Sequence, residues 1–479
     1  MYEFKTAPFA HQRAWWEKTR DAEVYAILWE QGTGKSKLTI DTAGWLYQTN
    51  KIDALVVIAP NGVHRNWVVN EVPTHLPNSI AREAVCWQSS KAKTVGFKKH
   101  CAKALDFSGL LVLAMSYDAA LTKAGDAILS KVLGQRKCMM VLDESARIKN
   151  PKAKRTIRIL ARGKHAKYRR ILTGTPVANS PFDAYTQFAF LSPKIWDEAG
   201  CRTYAAFKNH FGIWAERLDP RSGRKFRELV RYKNLEHLRA ATAAVSTRVV
   251  KSEVLDLPDK LYTKVYFELS AEQAKLYRDM KEGFSLQLAA GEVTAMLAIT
   301  QLLRFQQIVS GFVATDDNEI VELEENPRLN LLADTVSDLT GKFIIWAKFT
   351  AEITRIIERL TKAGIECVRY DGRVSADDRA EAISRFQGGT ARAFVANPAA
   401  AAEGLTLHAA TTVIYYSNSF KLTDRLQSED RAHRIGQSHP VTYIDIIAAD
   451  TVDEQIVNAL RDKLDIASVV TGDKIREWI

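Results

Sequence analysis

Val24-Tyr-Ala-Ile-Leu-Trp-Glu-Gln-Gly-Thr-Gly-Lys-Ser36 is the stretch that decides the fold of this chain. Its β-rich, apolar beginning predicts a strand, and the residues after Lys35 predict a helix. Gly32 and Gly34 let the backbone turn its amide groups toward a phosphate. The Lys35 ammonium can reach the outer phosphates of a nucleotide, and the Ser36 hydroxyl can ligate magnesium at the start of the helix. The stretch therefore predicts one half of an ATPase site.

An acidic strand end further along the chain predicts the other half of that site. Cys138-Met-Met-Val-Leu142 is an apolar, strand-length run that leads into Asp143 and Glu144. One carboxylate can hold magnesium, often through water, and its neighbour can orient the attacking water. We therefore interpret Asp143 and Glu144 as partners of Lys35 in one site.

Each of these signals is modest by itself. Phosphate loops occur in many kinases, transporters and GTPases, and Trp29 stands where the general pattern has its first glycine. An Asp-Glu pair after a strand is usually a solvated acidic strand end. Leu172-Thr-Gly-Thr-Pro176 follows both elements, and the order and spacing of this set favour the ATPase interpretation.

The composition is that of a soluble globular protein with at least two domains, because 479 residues exceed the usual size of one core. The apolar runs at 54–59 and 109–115 have the length of strands and are far too short to cross a bilayer, and the amino-terminal residues lack the core of a signal peptide. The five cysteines are scattered and never form a C-x-x-C pair. We expect a reduced, cytoplasmic compartment, no structural zinc and no membrane.

The net charge of +11 is unevenly distributed, with the excess of Lys and Arg lying before residue 331. Residues 145–182 contain eleven Lys and Arg and no Asp or Glu. A solvated helix face is the usual explanation of such a run. Because uncompensated cations repel one another, we favour a polyanionic partner, and therefore nucleic acid.

Short β-rich runs alternate with helical patterns in two parts of the chain, which predicts an α/β fold with parallel sheets and ligands at the carboxyl ends of the strands. The predicted strands are 24–28, 55–59, 110–115, 138–142 and 169–172 in the first part, and 342–346, 367–370, 393–395, 412–416 and 442–447 in the second. The region 193–330 lacks strand alternation and reads as mostly helical, with a basic turn or hairpin at 219–225.

Gln427-Ser-Glu-Asp-Arg-Ala-His-Arg434 predicts what the second α/β domain contributes, because that domain has no phosphate loop. Arg431 and Arg434 are three residues apart, so on a helix both guanidinium groups can point the same way. A planar guanidinium stays charged and can form two parallel hydrogen bonds with phosphate oxygens. A helix salt-bridged through Glu429 and Asp430 is the alternative, and an arginine finger acting across a cleft is the sharper interpretation.

The ordered set resembles the motifs of the superfamily 2 helicases, and specifically of the Swi/Snf-type ATPases that track along double-stranded DNA. The matching segments are Phe9-Ala-His-Gln12, 30–36, Ala59-Pro60 with Asn66-Trp67 and Glu71, 143–150, 172–179, 248–254 with Asp256-Leu-Pro258, 301–304, Asp371-Gly372 with Arg379 and Phe386, 403–409, and 430–437. Arg147-Ile-Lys-Asn150 and Arg434-Ile-Gly-Gln437 are the most specific, because generic helicases lack them. The resemblance runs from about residue 8 to 463.

The resemblance implies two RecA-like parallel-sheet domains in tandem with a mostly helical insertion between them. The expected division is a first ATP-binding domain at 1–192, the insertion at 193–330, a second RecA-like domain at 331–450, and a C-terminal helical segment at 451–479 that packs back on the motor. We expect this motor to be monomeric.

The resemblance also implies roles for individual residues, with ATP and Mg²⁺ as cofactors and double-stranded DNA as partner. Lys35, Asp143, Glu144, Arg431 and Arg434 would be catalytic, Ser36 and Asp143 would hold magnesium, and ATP would bind at Gln12 (which would read adenine), Gln31, Gly32, Thr33, Gly34, Lys35, Ser36, Gly404, Arg431 and Arg434. DNA contacts would come from Asn66, Lys149, Asn150, Lys152, Arg155, Arg158 and Thr406, and Thr173, Gly174, Thr175 and Pro176 would couple ATP to DNA movement.

Two departures from the family pattern concern coupling and DNA contacts. Ala146 replaces the histidine of the family's D-E-A-H string, and 397–402 replaces a glycine-richer approach to Gly404. Neither departure removes a phosphate or metal ligand, so we expect an active enzyme.

Trp67 follows Asn66 in a segment that the family places beside DNA, yet we expect its ring, like those of Trp15, Trp16, Trp45 and Trp346, to pack in the core. Three functions remain open: a duplex DNA translocase that remodels bound protein or DNA joints, a strand-separating DNA or RNA helicase, and a DNA-binding scaffold without ATP turnover. The phosphate and metal residues argue against the scaffold.

Overall fold

The computed structural model describes residues 2–197, 200–218, 225–289, 295–315, 317, 319–400 and 405–473. They form two compact units, each drawn from separate stretches of the chain. The first unit takes the residues up to 213, residues 231–256 and the segment that begins at 466, and the second takes 214–230 and 257–465. Over these ranges no helix combines the length and the apolar character needed to cross a membrane.

The strands are β1 Val24–Trp29, β2 Ala54–Ala59, β3 Arg82–Cys86, β4 Leu110–Ser116, β5 Cys138–Asp143, β6 Tyr168–Leu172, β7 Gly212–Leu218, β8 Lys225–Tyr232, β9 Ser246–Val249, β10 Lys260–Phe267, β11 Phe312–Ala314, β12 Ile320–Glu322, β13 Lys342–Trp346, β14 Cys367–Tyr370, β15 Ala393–Ala396, β16 Ala410–Tyr415 and β17 Val441–Ala448.

The helices are α1 Ala10–Thr19, α2 Lys35–Gln48, α3 Val63–Asn66, α4 Val72–His75, α5 Val95–Asp106, α6 Lys123–Gln135, α7 Lys154–Gly163, α8 Ala184–Leu191, α9 Tyr204–Phe211, α10 Leu235–Ala243, α11 Lys251–Val254, α12 Ala271–Ala289, α13 Ala295–Val309, α14 Pro327–Ser337, α15 Thr350–Lys362, α16 Ala376–Gln387, α17 Leu422–Ala432 and α18 Val452–Thr471. A π-helical turn, Trp67–Glu71, joins α3 to α4.

The first unit is built on a seven-stranded parallel sheet with the order β3-β4-β2-β5-β6-β1-β9. The central strands β2, β4 and β5 are buried along their whole length. They are therefore continuous apolar runs, as expected for a parallel sheet covered on both faces. The register sets Asp143 of β5 beside Leu172 of β6, and Leu172 beside Ile27 of β1. The phosphate loop, the acidic strand end and the 173–176 turn therefore leave the sheet at the same edge.

The second unit is built on a six-stranded parallel sheet with the order β10-β17-β16-β13-β15-β14. One face carries a core that includes Ile353 and Ile356 of α15 and Ile456 and Leu460 of α18. The other face carries a second core around Phe386. All the strands predicted from the two β-rich series are present, and the predicted fold class is confirmed.

Local sequence signals explain several helix ends. Ser375 precedes α16, and its hydroxyl accepts a hydrogen bond from the Asp378 amide at 3.2 Å. Gly364 follows α15 with φ +77°, a conformation that costs glycine little. Both signals depend only on residues that are close in sequence.

The region 193–330 contains the helices α9 to α13, as its mostly helical pattern predicts, and it also contains the strands β7 to β12, which the pattern does not reveal apart from the basic turn or hairpin. β7 and β8 form a two-stranded sheet around the predicted basic turn, whose residues 219–224 lie outside the described ranges. β9 joins the first sheet beside β1, and β10 joins the second beside β17. The division at 192, 330 and 450 stays a prediction, and the compact units cut across it.

Candidate functional site

The phosphate loop turns between β1 and α2 through two glycines in the left-handed region. Gly32 has φ +81° and Gly34 has φ +86°, and α2 begins at Lys35. A Cβ atom at Gly34 would lie 1.9 Å from Nε2 of Gln12, so no larger residue fits without moving that side chain. The loop therefore has the glycine geometry predicted for it, with the amides of the first turn of α2 available to an anion.

The first helix, α1, is hydrogen-bonded to the phosphate loop. The Gln12 side chain is buried, accepts a hydrogen bond from the Phe9 amide at 2.9 Å and donates one to the Gly34 carbonyl at 3.3 Å. A ring nitrogen of His11 lies 2.9 Å from the Thr33 carbonyl oxygen. The predicted adenine contact, Gln12, is thus placed at the loop.

Lys35 is held at the end of β1. Its Nζ atom donates hydrogen bonds to the carbonyl oxygens of Trp29 at 2.9 Å and of Glu30 at 3.1 Å. Thr33 is fully buried, and its hydroxyl donates to the Glu30 carbonyl at 2.7 Å. Ser36 lies in the first turn of α2. The Lys35 ammonium and the Thr33 hydroxyl thus bond the loop to the end of β1 and to Glu30.

Asp143 is a buried carboxylate at the end of β5. The indole Nε1 of Trp67 donates a hydrogen bond to its Oδ2 at 2.8 Å, and the Tyr117 hydroxyl donates to its carbonyl oxygen at 2.9 Å. Burial raises the pKa of Asp143 above its ordinary value, while the Trp67 hydrogen bond and the Lys35 charge act in the opposite direction. Asp143 is thus a buried carboxylate whose Oδ2 is held in place by the Trp67 indole.

Glu144 joins the two halves of the site. Its backbone is left-handed, with φ +53°, and its Oε1 accepts a hydrogen bond from Nε2 of Gln31 at 3.3 Å. A non-glycine residue in this conformation is uncommon and occurs often at functional sites. The structure thus brings the predicted loop residues and the acidic pair together.

The turn at 173–176 is tied to the acidic strand by a residue that the sequence analysis missed. Nε2 of Gln187, on α8, donates to the Pro176 carbonyl at 2.7 Å, and its Oε1 accepts from the Ser145 hydroxyl at 2.7 Å. The Thr173 amide donates to the Ile27 carbonyl at 3.2 Å. Gln187 is fully buried in a mostly apolar helix, and a long polar side chain in such a helix is the signal that could have identified it.

The basic run at 145–182 does not consist of uncompensated cations, so that part of the expectation is wrong. Asp118 pairs with Arg155, and Asp126 pairs with Arg158 and Arg162. Asp183 lies 3.5 Å from the Lys149 ammonium. These carboxylates lie outside the run in sequence and are brought next to it by the fold. Repulsion among the cations is therefore not a reason to expect a polyanion at those positions.

The remaining predicted DNA contacts are dispersed over the two units. Asn66, Asn150 and Lys152 are exposed in the first unit, and Thr406 is half-buried in the second. The Asn66 amide group donates to Oε1 of Glu71 at 3.1 Å. Their role in binding DNA stays a prediction.

In the second unit, Arg431 and Arg434 converge, but not along a helix. Helix α17 ends at Ala432, because His433 leaves the helical conformation with ψ +84°. Arg434 therefore lies beyond the helix, and the prediction of a shared helical face is wrong. The NH1 atoms of Arg431 and Arg434 nevertheless donate to the same Leu405 carbonyl, at 3.4 and 2.7 Å. Gly404 lies outside the described residues.

A buried ion-pair network fixes α17 against the second sheet. The Arg425 guanidinium donates to both carboxylate oxygens of Asp445, at 2.6 and 2.9 Å, and to Oε1 of Glu429 at 2.9 Å. Glu429 also accepts from the Tyr262 hydroxyl at 2.8 Å and from the Lys260 ammonium at 3.1 Å. The sequence pattern predicts Glu429 only as a partner within its own helix, whereas the structure bonds it to two residues of β10 as well.

Comparison with known families gives two adjoining matches. The profile described as SNF2-related domain matches residues 15–310, which is more than half of the chain. The profile described as helicase conserved C-terminal domain matches residues 328–436. The two matches contain the phosphate loop, the acidic strand end and the two converging arginines.

Individual relatives are similar over most of this chain. A mouse protein named SWI/SNF-related matrix-associated actin-dependent regulator of chromatin subfamily A member 1 is 25% identical over 457 residues, covering 92% of this chain and 41% of its own length. The yeast transcription regulatory protein SNF2 from Saccharomyces cerevisiae is 26% identical, covering 91% of this chain and 26% of its own length. This chain thus spans less than half the length of these relatives.

A solved structure also aligns with the chain. The Sulfolobus solfataricus SWI2/SNF2 ATPase core in complex with double-stranded DNA is 23% identical, with a TM-score of 0.42, covering 98% of this chain and 95% of that one.

Proposed function

Since this chain belongs to the SNF2-related family, we propose that it hydrolyses ATP and uses the energy to move along double-stranded DNA, remodelling or displacing bound protein or DNA joints. The convergence of Lys35, Asp143, Glu144 and Gln31 at one edge of the first sheet carries the proposal. A scaffold without turnover would have no need of an ammonium, a buried carboxylate and a strained glutamate in one place.

The residues of the first unit fit ATP and Mg²⁺. The Gly32 and Gly34 turn offers backbone amides, and Lys35 offers a positive charge to the outer phosphates. The buried Asp143 carboxylate and the Ser36 hydroxyl are the groups that would hold the metal. Bound Mg²⁺ would neutralise negative charge on the phosphates.

Glu144 would orient the attacking water, and the Gln31 amide keeps its carboxylate in position. Arg431 and Arg434 would stabilise the charge that develops on the transferred phosphoryl group. The Gln187 side chain would pass changes at Ser145 to the 173–176 turn, because it bonds to both.

A duplex DNA substrate is supported by the family and by charge. The mouse relative is named as a regulator of chromatin, in which DNA is double-stranded. The net charge of +11 and the exposed Lys152 and Lys154 favour attraction to phosphates. A strand-separating helicase is the competing function, because the chain also matches a helicase conserved C-terminal domain.

The test compares ATP hydrolysis by the parental protein on duplex DNA, single-stranded DNA and RNA, with Lys35→Ala as the inactive control. Duplex DNA should stimulate hydrolysis most. The protein should then displace a triplex-forming third strand from a duplex without separating duplex strands of the same length. Strand separation that matches triplex displacement would support the helicase, and hydrolysis insensitive to DNA would overturn the proposal.

A further inference from the structure

The guanidinium of Arg248, on β9, connects the phosphate loop to the 173–176 turn. Its NH1 atom donates hydrogen bonds to the Leu28 carbonyl at 2.6 Å and to the Gly174 carbonyl at 3.0 Å. Leu28 precedes the loop, and Gly174 lies in the turn that we expect to couple ATP to movement. One planar group therefore spans two segments of the proposed ATPase site.

The other side of the same guanidinium faces the C-terminal segment. Nε of Arg248 donates to Oδ1 of Asp473 at 3.0 Å, and NH2 donates to Oδ2 at 2.8 Å. The Asp473 side chain is 16% exposed and follows the end of α18. This two-point pairing fixes the plane of the guanidinium as well as its charge.

Glu30 provides a second connection between the phosphate loop and the segment that contains Arg248. Its Oε2 accepts a hydrogen bond from the Lys251 amide at 2.8 Å, and its Oε1 lies 3.7 Å from NH2 of Arg248. Glu30 is itself the first residue of the phosphate loop. The segment from Arg248 to Lys251 is thus anchored directly to the loop.

A cavity of about 150 Å³ adjoins Arg248. Pro176 of the turn and the next residue, Val177, line it together with Val470 and Thr471 of α18. Beside this cavity the Arg248 guanidinium donates to both the Gly174 carbonyl and the Asp473 carboxylate, so it is a direct polar bridge from the turn to the C-terminal segment.

We propose that Asp473 is a positioning residue of the ATPase. Its carboxylate fixes the orientation of the Arg248 guanidinium, and that guanidinium keeps the 173–176 turn in a fixed position relative to the phosphate loop. This inference rests on the proposed function. Without the carboxylate, the guanidinium loses its two fixed bonds and turns more freely, so the Gly174 carbonyl loses a fixed donor. ATP binding, which depends on the loop and on Lys35, changes little.

The experiment compares Asp473→Asn, Asp473→Glu and the matched control Asp462→Asn in the full chain. Asp462 lies on the exposed face of α18. Loss of a charge-assisted bidentate pair should lower the DNA-stimulated kcat on the order of tenfold in Asp473→Asn. KM for ATP should stay within about twofold, because ground-state binding is untouched. Asp473→Glu should restore most of the rate, and Asp462→Asn should match the parental protein.

Two further measurements separate positioning from folding. The ATP consumed per displaced third strand should rise in Asp473→Asn, and nucleotide affinity measured without turnover should not change. Arg248→Lys should show at least the same defect, and the double variant should be no worse than Arg248→Lys alone, because Asp473 acts through the Arg248 guanidinium.

An Asp473→Asn protein with parental kcat and parental ATP consumption per displacement would overturn this inference alone. A parental protein that hydrolyses no ATP on duplex DNA would overturn the proposed function and this inference together. A loss of activity that Asp473→Glu does not relieve, accompanied by a lower urea midpoint, would also overturn it, because the residue would then act on folding.

Discussion

Variants of Lys35 and Glu144 should distinguish ATP hydrolysis from DNA binding. Lys35→Ala removes the ammonium that bonds to the end of β1, and Glu144→Gln removes the carboxylate charge while leaving an oxygen that can accept the Gln31 hydrogen bond. We expect both variants to lose turnover by at least about a hundredfold, with DNA affinity within about twofold of the parent. Steady-state hydrolysis and fluorescence anisotropy on labelled duplex measure the two quantities. Parental turnover in Glu144→Gln would contradict the role of that carboxylate.

Trp67 is more than a core side chain, because its indole donates to the Asp143 carboxylate. Trp67→Phe keeps most of the apolar volume and removes the donor. We expect a loss of roughly tenfold in kcat at limiting magnesium and a smaller loss at saturating magnesium, because the unbonded carboxylate is less well placed for the metal. A magnesium titration of the hydrolysis rate measures the difference.

Trp196→Phe is the matched control for that prediction. Trp196 is equally buried in the first unit, and its indole donates to the Tyr185 carbonyl at 2.9 Å, away from Asp143. It should lose comparable stability without changing the magnesium dependence. The same change in magnesium dependence in both variants would assign the Trp67 effect to packing alone.

Whether a site residue can be predicted from the sequence depends on how far along the chain its partner lies. The phosphate-loop glycines, Lys35 and the acidic pair were predicted, because a short consecutive pattern defines each. The bond from Trp67 to Asp143 spans 76 residues, and the bond from Ser145 to Gln187 spans 42. Such pairs depend on strand order and register, which no local pattern contains.

Helix α7 carries cations of two kinds. Arg158 and Arg162 pair with Asp126, whereas Lys152, just before the helix, and Lys154 are exposed and form no ion pair with the residues that are described. Neutralising Lys152 and Lys154 should weaken DNA binding on every sequence and reduce the salt dependence by roughly one slope unit per lost phosphate contact, with stability unchanged. Binding isotherms over a salt series measure this, and an unchanged slope would make the two lysines solvated surface.

Replacing Arg162 by Gln should act on stability instead. The Arg162 hydrogen bond lowers the pKa of Asp126, so the pair stabilises the fold above the unfolded pKa of that carboxyl, and the contribution is lost as the pH falls through the lowered value. We expect a cost of up to about 1 kcal/mol near neutral pH that disappears in acid. Urea unfolding at several pH values measures it, and a cost independent of pH would exclude the ion pair as its cause.

The strands also differ in whether their own sequence is enough to predict them. β2, β4 and β5 were predicted because burial on both faces requires continuous apolar residues. β9 was not, because Ser246-Thr-Arg-Val249 is an edge strand in which only Thr247 and Val249 are buried. A strand with one neighbour needs little apolar sequence, and its place beside β1 is decided by the sheet.

The two units should work as one enzyme, although each has its own sheet and core. An arginine finger contributes about 10³ to 10⁵ in rate. We therefore expect Arg434→Ala to reduce DNA-stimulated kcat by about that factor, with a smaller effect on ATP affinity, because charge develops most on the transferred group. Arg434→Lys should rescue poorly, since an ammonium lacks the planar fork.

Arg385→Ala is the control within the second unit. Arg385 is exposed on α16 and pairs with Glu366 at 2.7 Å. It should hydrolyse ATP at the parental rate. Near-parental turnover in a folded Arg434→Ala protein, measured beside this control, would mean that the second unit supplies no arginine to the reaction.

The pairing of β1 with β9 also affects how the protein folds while it is being synthesised. β1 is complete at Trp29, but its outer neighbour is not synthesised until Ser246 to Val249. At about 5 to 20 residues per second, the ribosome needs roughly 10 to 45 s to cover that interval. During this time the outer edge of β1 has unpaired backbone N–H and C=O groups, which can pair with other nascent chains. We therefore expect the yield of correctly folded protein to depend on chaperones and on the speed of translation between these two strands.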